Sequence, residues 1–426
     1  MAVHLLEYLT LRKHLQMSRE RLQDFQLRKI RETIDYAYRH TEFYHHSMKE
    51  KGVYPDDIKK VSDLSKLSII TKEDVQKTPL EKLLGRDVTS TMIKRTTSGS
   101  TGNPLKVYLD PEAEFHDNIE WTRSLIRNGM SIRDKMAVIS DPRYFPEKRL
   151  IENFKIINRK YISIFEKSES QVNQLIKYDP DIIRGYPSNL EIMIRENPSL
   201  LGKVSPKTIF TSGELLDHET RDSISNSFNC EVYDYYVCNE FSQLAWECNQ
   251  HTGYHINADS KYIEIVKDGE SVAPGETGEI VVTRMGNPLM PLIRYKIGDV
   301  GKKMEDECSC GVSFPLLEMV EGRTDDLLLT TEGKIVTPLI FFPYPFEDFE
   351  GIMQFRVIQE NRYKIVIELV ADDNFITCNE SLEGARKAIK NVFGETMEVE
   401  FSFVDEIKPE PSGKIRKIIS KVKMSR

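Results

Sequence analysis

The run DIIRGYPSNLEIMIRENPSLLGKVSPKTIFTSGELLDHETRDSISNSFNCEVYDYYVCNE, residues 181–240, decides how this chain folds. Three short apolar pieces, DIIRG, KTIFTSG and CEVYDYY, are separated by stretches of helical character, the grammar of strands that cross over through helices. Outward from there, KMAVI (135–139) extends the pattern on one side, and YIEIVK (262–267) and GEIVVTR (278–284) extend it on the other. Residues from about 93 to 300 therefore read as an α/β body. Within it, residues 276–301 alternate in polarity and are punctuated by Gly278, Gly286 and Asn287, as strands joined by turns are.

The two flanks differ from the body. Between residues 4 and 52, Leu22, Phe25, Leu27, Ile30, Ile34, Ala37 and Tyr38 recur at three- and four-residue steps among charges, which predicts a helical arm (about 1–80) laid on the surface. Ser62, Asp63 and Thr71 stand where N-caps are expected. Beyond Arg323, FRVIQENRYKIVIELV (355–370) reads as a hairpin turning around Glu360 and Asn361, LEGARKAIKNVF (382–393) as an amphipathic helix, and MEVEFSFVDEI (397–407) as a further strand. The expected organisation is a large N-terminal α/β domain over 1–322, a hinge over 323–327 and a small α+β domain over 328–426.

Bulk properties narrow the function classes. With 39% hydrophobic and 30% charged residues over 426 positions, the chain can bury more than one core without staples. A net charge of -8 with interspersed signs argues against a nucleic-acid partner. No apolar run is long enough for a membrane span, LIFFPYPF (339–346) being short and broken by Pro343 and Pro345. The opening MAVHLLEYLTLRKHLQ reads as an amphipathic helix rather than a signal peptide, so a cytoplasmic location is expected.

The local chemistry starts with TTSGSTGNPLK (96–106), whose hydroxyls and glycines make a loop able to wrap anionic oxygens, although a plain Ser/Gly linker has the same composition. Cys248, His255, Cys308 and Cys310 supply three thiols and an imidazole, the donor set of a closed structural zinc site, with His251 as a competing imidazole.

Taken in order, these segments resemble the motifs of the adenylate-forming superfamily. Thr97, Ser98, Gly99, Ser100, Thr101, Gly102 and Pro104 match its phosphate-binding loop, with Asn103 where a lysine is common and Lys106 nearby as a substitute. The resemblance implies adenine contacts from Ser212, Gly213 and Glu214 in TSGELLD, a Tyr236 ring beside adenine and a Mg ligand in Glu240 of YDYYVCNE, and a ribose-binding Asp299 in YKIGD. It implies further a nucleotide contact from Arg323 and a pivot at Asp325 in GRTDD, and a catalytic ammonium at Lys414 in PEPSGKIRK. The arm, residues 27–53 and 63–75, is similar to phenylacetate-CoA ligase-like and capsular-polysaccharide-associated (CapK-type) proteins, and similar Cys/His positions there favour zinc.

The family then implies ATP-dependent, AMP-forming activation of a small carboxylic acid, followed by transfer to coenzyme A. Two other outcomes share the motifs: an adenylyltransferase of the deazaflavin-modifying type, and a non-catalytic nucleotide-binding protein of polysaccharide assembly. A third, a zinc-stabilised interaction module, leaves the motif order unaccounted for. Tyr144, Phe145, the Gly185–Asn189 segment and Tyr235 are expected around the acid. The oligomeric state is not written in the chain, a homodimer being one option.

Overall fold

A computed structural model describes residues 2–96, 105–142, 145, 158–214, 216, 218–321, 328–336, 352–371, 379–407 and 418–422. The core of the body is a twelve-stranded mixed sheet. Asn158–Ser163, Lys135–Ser140, Ile182–Gly185, Thr208–Ser212 and Glu231–Cys238 lie side by side in that order, all parallel. Thr208–Ser212 is buried along its whole length, as a strand covered on both faces must be. The remaining strands, Ser242–Glu247, Tyr254–Ile256, Leu316–Glu321, Tyr295–Lys303, Thr277–Arg284, Lys261–Lys267 and Glu270–Ser271, continue the sheet antiparallel. The fold expected from the run 181–240 is thus present.

Helix Pro111–Arg127 covers one face. Pro111 stands at its first position, where a missing N–H costs nothing. Its buried side carries Asp117, Glu120 and Arg123 as well as Ala113 and Leu125. These buried charges have partners: Arg123 donates to Asp259 at 2.6 and 3.1 Å and to the carbonyl of Leu11, in helix Ala2–His14, at 2.9 Å, and Lys261 meets Glu120. Burial of this kind is tolerated only with such pairing.

The arm forms as helices Ala2–His14, Arg19–His40 and Glu42–Lys51, followed by short helical turns. Thr41 ends one helix and caps the next, its hydroxyl accepting from Tyr44 N at 3.2 Å. Thr71 caps Lys72–Lys77 as expected, in a capping box with Asp74. Ser62 and Asp63, expected as caps, instead lie inside the 3-10 turn Val61–Lys66, where the Asp63 carboxylate accepts from Lys59 N and Lys60 N.

The arm is not surface-laid. Leu22, Ile30, Ile34, Tyr44, Leu64 and Ile70 belong to the main hydrophobic core. Arg294 binds Glu264 through two nitrogens, at 3.1 and 3.0 Å, and donates to the carbonyls of Leu67 and Ser65 at 2.7 and 3.2 Å. Ile70 then bridges to Tyr295, with Ile70 N donating to Arg294 O at 3.0 Å and Lys296 N to Ile70 O at 2.9 Å. The arm therefore ends as a brace on strand Tyr295–Lys303.

The C-terminal part has its own four-stranded sheet, in the order Glu398–Phe403, Lys364–Ala371, Ile352–Asn361, Ile418–Ser420. Val357, Ile365, Ile367 and Leu369 pack with Ile389 and Phe393 of helix Asn379–Phe393 in a separate core. The hairpin turns two residues later than its polarity suggested, since Asn361 still pairs with Lys364 and leaves Arg362 and Tyr363 at the tip. The expected hinge, 323–327, lies outside the described residues.

The Arg123–Asp259 pair sets a stability prediction. Asp259→Ala leaves a buried guanidinium uncompensated and should lower unfolding stability by about 3–5 kcal/mol in urea titration. Glu73→Ala, which removes an exposed pair with Lys77, should leave the midpoint unmoved.

Candidate active site

Strands Thr208–Ser212 and Glu231–Cys238 are neighbours in the parallel half, with Ser212 in register with Tyr235. Their carboxyl ends lie together, where open α/β sheets place ligand-binding turns. Those ends carry two of the expected nucleotide segments: Ser212, Gly213 and Glu214 on one, and the stretch to Asn239 and Glu240 on the other. Gly213 has φ +88°, and a Cβ there would sit 2.9 Å from Cε1 of Tyr186, so this turn requires glycine on two counts.

Three further contacts gather the remaining motifs here. The Tyr236 hydroxyl donates to Asp299 Oδ2 at 2.7 Å, and the Tyr295 hydroxyl donates to Glu240 Oε1 at 3.1 Å. Asn239 Nδ2 donates to the Thr96 carbonyl at 3.0 Å, which ties the YDYYVCNE segment to the last described residue before the hydroxyl-rich loop. Asn239 stands where the family motif has Ser or Thr, and this tether gives the amide a job that a shorter hydroxyl side chain would not reach as easily. Lys106, paired opposite Thr96, is exposed on the strand that leaves the loop. Asp299 and Glu240 are both half-buried, open enough to meet a ligand.

The support behind these groups escaped the sequence reading. Asp117 is buried among Arg284 at 2.8 Å, Arg95 at 3.0 Å and Lys261 at 3.5 Å. Burial works to raise the Asp117 pKa, but the charges of Arg284, Lys261 and Arg95 outweigh it and hold the carboxyl well below its usual range. Arg284 also reaches the Glu240 carbonyl at 3.4 Å, and Arg95 precedes Thr96 on the strand leading into the loop. The available signal was the spacing Glu114, Asp117, Glu120, Arg123 on one helix, a stripe that looks solvated until its partners are known.

Thr97, Ser98, Gly99, Ser100, Thr101 and Gly102 of the loop, with Arg323, Asp325, Lys414 and Tyr144, lie outside the described residues. Among the expected acid-pocket residues, Tyr235 is a core residue instead: it is fully buried, stacked on Phe210 at 5.2 Å and edge-on to Trp121 at 5.3 Å. Phe145 lies 5.2 Å from the ring of Tyr161.

Away from these strand ends, Cys248, His255, Cys308 and Cys310 converge, their ligand atoms all within 4.8 Å of one another. Cys248 Sγ is 3.5 Å from Cys308 Sγ, and Cys310 Sγ is 3.3 Å from His255 Nε2. A tetrahedral zinc with bonds of about 2.3 Å sets its sulfurs roughly 3.8 Å apart, so the cluster has the right size. His255 Nδ1 lies 3.2 Å from the Phe314 carbonyl, which can only accept, and this places the proton on Nδ1 and the lone pair on Nε2. Burial brings the His255 pKa down to about 4, keeping the ring neutral as a ligand must be. His251 is otherwise engaged, between Arg221 at 3.2 Å and Glu231 at 3.3 Å.

Comparison with known proteins finds similar chains and a shared fold. Residues 328–421 match the CapK C-terminal domain family. Protein CapK of Staphylococcus aureus is 24% identical over 412 residues, covering 94% of this chain and 89% of that protein. Phenylacetate-coenzyme A ligase of Escherichia coli (strain K12) is 27% identical over 361 residues, 80% of each. Among solved structures, 2-hydroxyisobutyryl-CoA ligase in complex with 2-HIB-AMP and CoA superimposes with a TM-score of 0.67 at 20% identity, over 96% of this chain and 92% of that one. The chain is similar to CapK and to phenylacetate-CoA ligases, and it shares the fold of 2-hydroxyisobutyryl-CoA ligase.

The Cys/His cluster predicts about one zinc per chain by elemental analysis after desalting. Replacing Cys308 and Cys310 together by Ser should remove it and lower the melting temperature, and a native protein free of metal would contradict the assignment.

Proposed function

We propose that this relative of CapK and the phenylacetate-CoA ligases activates a carboxylic acid with ATP, forming an acyl-adenylate and pyrophosphate, and passes the acyl group to coenzyme A. The observation that carries the reading is the meeting of Thr96, Asn239, Glu240, Tyr236 and Asp299 around the ends of two adjacent parallel strands. A nucleotide needs those chemistries close together: donors for phosphate, a carboxylate for a cation and a charged acceptor for ribose.

The residues then divide the work. Asp299 accepts the ribose hydroxyls, held in place by the Tyr236 hydroxyl. Ser212, Gly213 and Glu214 flank the adenine, with the Gly213 turn allowing close backbone approach. Glu240 suits Mg, which binds through one or two carboxylates and keeps water and substrate phosphate as its other ligands. The loop Thr97–Gly102 donates to the phosphates, and Lys414 neutralises charge as the substrate carboxylate attacks the α-phosphate and pyrophosphate leaves. Arg323 contacts the nucleotide, and rotation about Asp325, between a body over 1–322 and a small domain over 328–426, exchanges adenylation for thioester formation. The Cys/His cluster holds a structural zinc, since its four protein donors leave no position for substrate. Among the described residues no helix is long and apolar enough to cross a membrane. We place the activity in the cytoplasm, serving polysaccharide biosynthesis, the role that the sequence resemblance to CapK-type proteins implies.

Pyrophosphate exchange into ATP, run with a panel of aryl, fatty and hydroxy acids, tests the reading directly. Asp299→Ala should raise the KM for ATP by about tenfold to a hundredfold, the loss of a charge-assisted hydrogen bond. Tyr236→Phe should raise it less, and the double variant should match Asp299→Ala alone, because the tyrosine acts through the aspartate. Lys414→Ala should abolish exchange yet leave thioester formation from a supplied acyl-adenylate largely intact. Exchange at the normal rate in that variant removes Lys414 from the reaction.

A further inference from the structure

Arg184 has no place in the reading above, and its surroundings are unusual for a guanidinium. It is the third residue of strand Ile182–Gly185, in register between Val138 and Phe210, with Tyr161 in the same row beyond Val138. The side chain is half-buried, and its guanidinium carbon stands 4.0 Å from the centroid of the Trp121 ring. Trp121 comes from helix Pro111–Arg127 and is fixed by its indole N–H, which donates to Ser242 Oγ at 3.0 Å. Arg184 is thus held between the sheet and the covering helix, beside aromatic walls.

Among the described residues, the fully buried cations near this helix each have a carboxylate: Arg123 has Asp259, Arg284 has Asp117, Lys261 has Glu120. Arg184 has none within ion-pair distance among the described residues. Burial works against its charge, and the nearby charge of Arg159 adds to that opposition. An arginine does not escape by losing its proton, so this arrangement is stabilised by whatever anion comes to meet it.

Position supplies the rest. The extended chain runs from Arg184 to Tyr186, whose ring abuts the Gly213 turn of the adenine segment. Two extended residues span about 7 Å, so Arg184 lies about that far along its own strand from the residue that abuts the turn, on the side away from the strand end. The reacting carboxylate belongs at the strand ends, and Arg184 is placed to meet the other end of the molecule.

On the basis of the proposed acid activation, the geometry points to a dicarboxylic acid as substrate, one carboxylate being adenylated at the strand ends while the distal carboxylate pairs with Arg184. The aromatic faces of Trp121 and Tyr161 flank the intervening carbon chain. Activation of one end leaves the distal carboxylate chemically untouched, so the product would be a half-thioester.

Adipate and hexanoate share a chain and differ in the second carboxylate, which makes them the discriminating pair. In pyrophosphate exchange the wild-type protein should prefer adipate by about tenfold to a hundredfold in kcat/KM, the worth of a charged hydrogen bond. Arg184→Leu should reverse the order and Arg184→Lys should keep a weakened preference for adipate. Calorimetric titration of both acids with α,β-methylene-ATP present reads the same site without turnover, and Arg184→Gln, checked for a wild-type melting curve, carries it should the leucine variant fail to fold. Adipate binding lost in the Arg184 variants without any exchange would uphold the site and discard the activity. Brisk exchange with no preference, or a preference indifferent to Arg184, would discard the site and leave the activity standing, and absence of adipate binding altogether would overturn the inference outright.

Discussion

The buried Asp117 carboxylate is the point on which the candidate site rests. Three cations from three separate segments converge on it: Arg95 from the strand before the hydroxyl loop, Lys261 from the start of a sheet strand, and Arg284 from the end of another. None of these could be buried alone, because an unpaired charge in the interior costs several kcal/mol even after relaxation. Each cation therefore holds its own backbone in place as a condition of remaining charged. Through Arg284 the same carboxylate reaches the Glu240 carbonyl, and through Arg95 it reaches the entrance of the loop. Two motifs separated by more than a hundred residues are registered against one another by a single buried carboxylate.

This explains why the motifs were readable and their support was not. Glycines with special backbone geometry, hydroxyl clusters and an isolated aspartate in YKIGD are local patterns, and local patterns survive in a sequence. The alternating strand and helix segments of 181–240 were equally readable, because each strand is a short apolar run bounded by polar turns. The stripe Glu114, Asp117, Glu120, Arg123 is also local, but its meaning is set by partners up to 167 positions away, as for Arg284 and Asp117. Helical periodicity identifies a face and not the side of the protein it meets; here the charged face is the buried one. The same limit hid Tyr235, whose neighbours Phe210 and Trp121 make it core, and Arg184, which has no carboxylate within ion-pair distance among the described residues.

The Cys/His cluster illustrates an intermediate case. Cys308 and Cys310 announce themselves by spacing, whereas the choice between His251 and His255 depends on which ring nitrogen is free. The Phe314 carbonyl settles it by occupying Nδ1 of His255, while Arg221 and Glu231 hold His251 in a polar network. The cluster joins the Cys308–Cys310 turn to the segment between strands Ser242–Glu247 and Tyr254–Ile256. Strand Leu316–Glu321 follows that turn directly and pairs with both Tyr254–Ile256 and Tyr295–Lys303. A metal there would fix the last strand of the body a few residues before the chain leaves it.

Strand Tyr295–Lys303 is consequently held from both sides, by Leu316–Glu321 along one edge and by Thr277–Arg284 along the other, and at its start by the arm through Ile70 and Arg294. That strand carries both Tyr295, which orients Glu240, and Asp299, which is oriented by Tyr236. The arm was expected to lie on the surface because its apolar residues recur among many charges, yet Arg294 turns its carbonyls at Ser65 and Leu67 into ligands for a buried guanidinium. An arm built this way cannot detach without stranding Arg294 and Glu264 in the interior, so it stays bound by the same logic that buries Asp117. The positions of Glu240 and Asp299 are then properties of the whole body rather than of their own loops, and this is the rigidity that a two-step reaction with one moving domain would demand of the part that does not move.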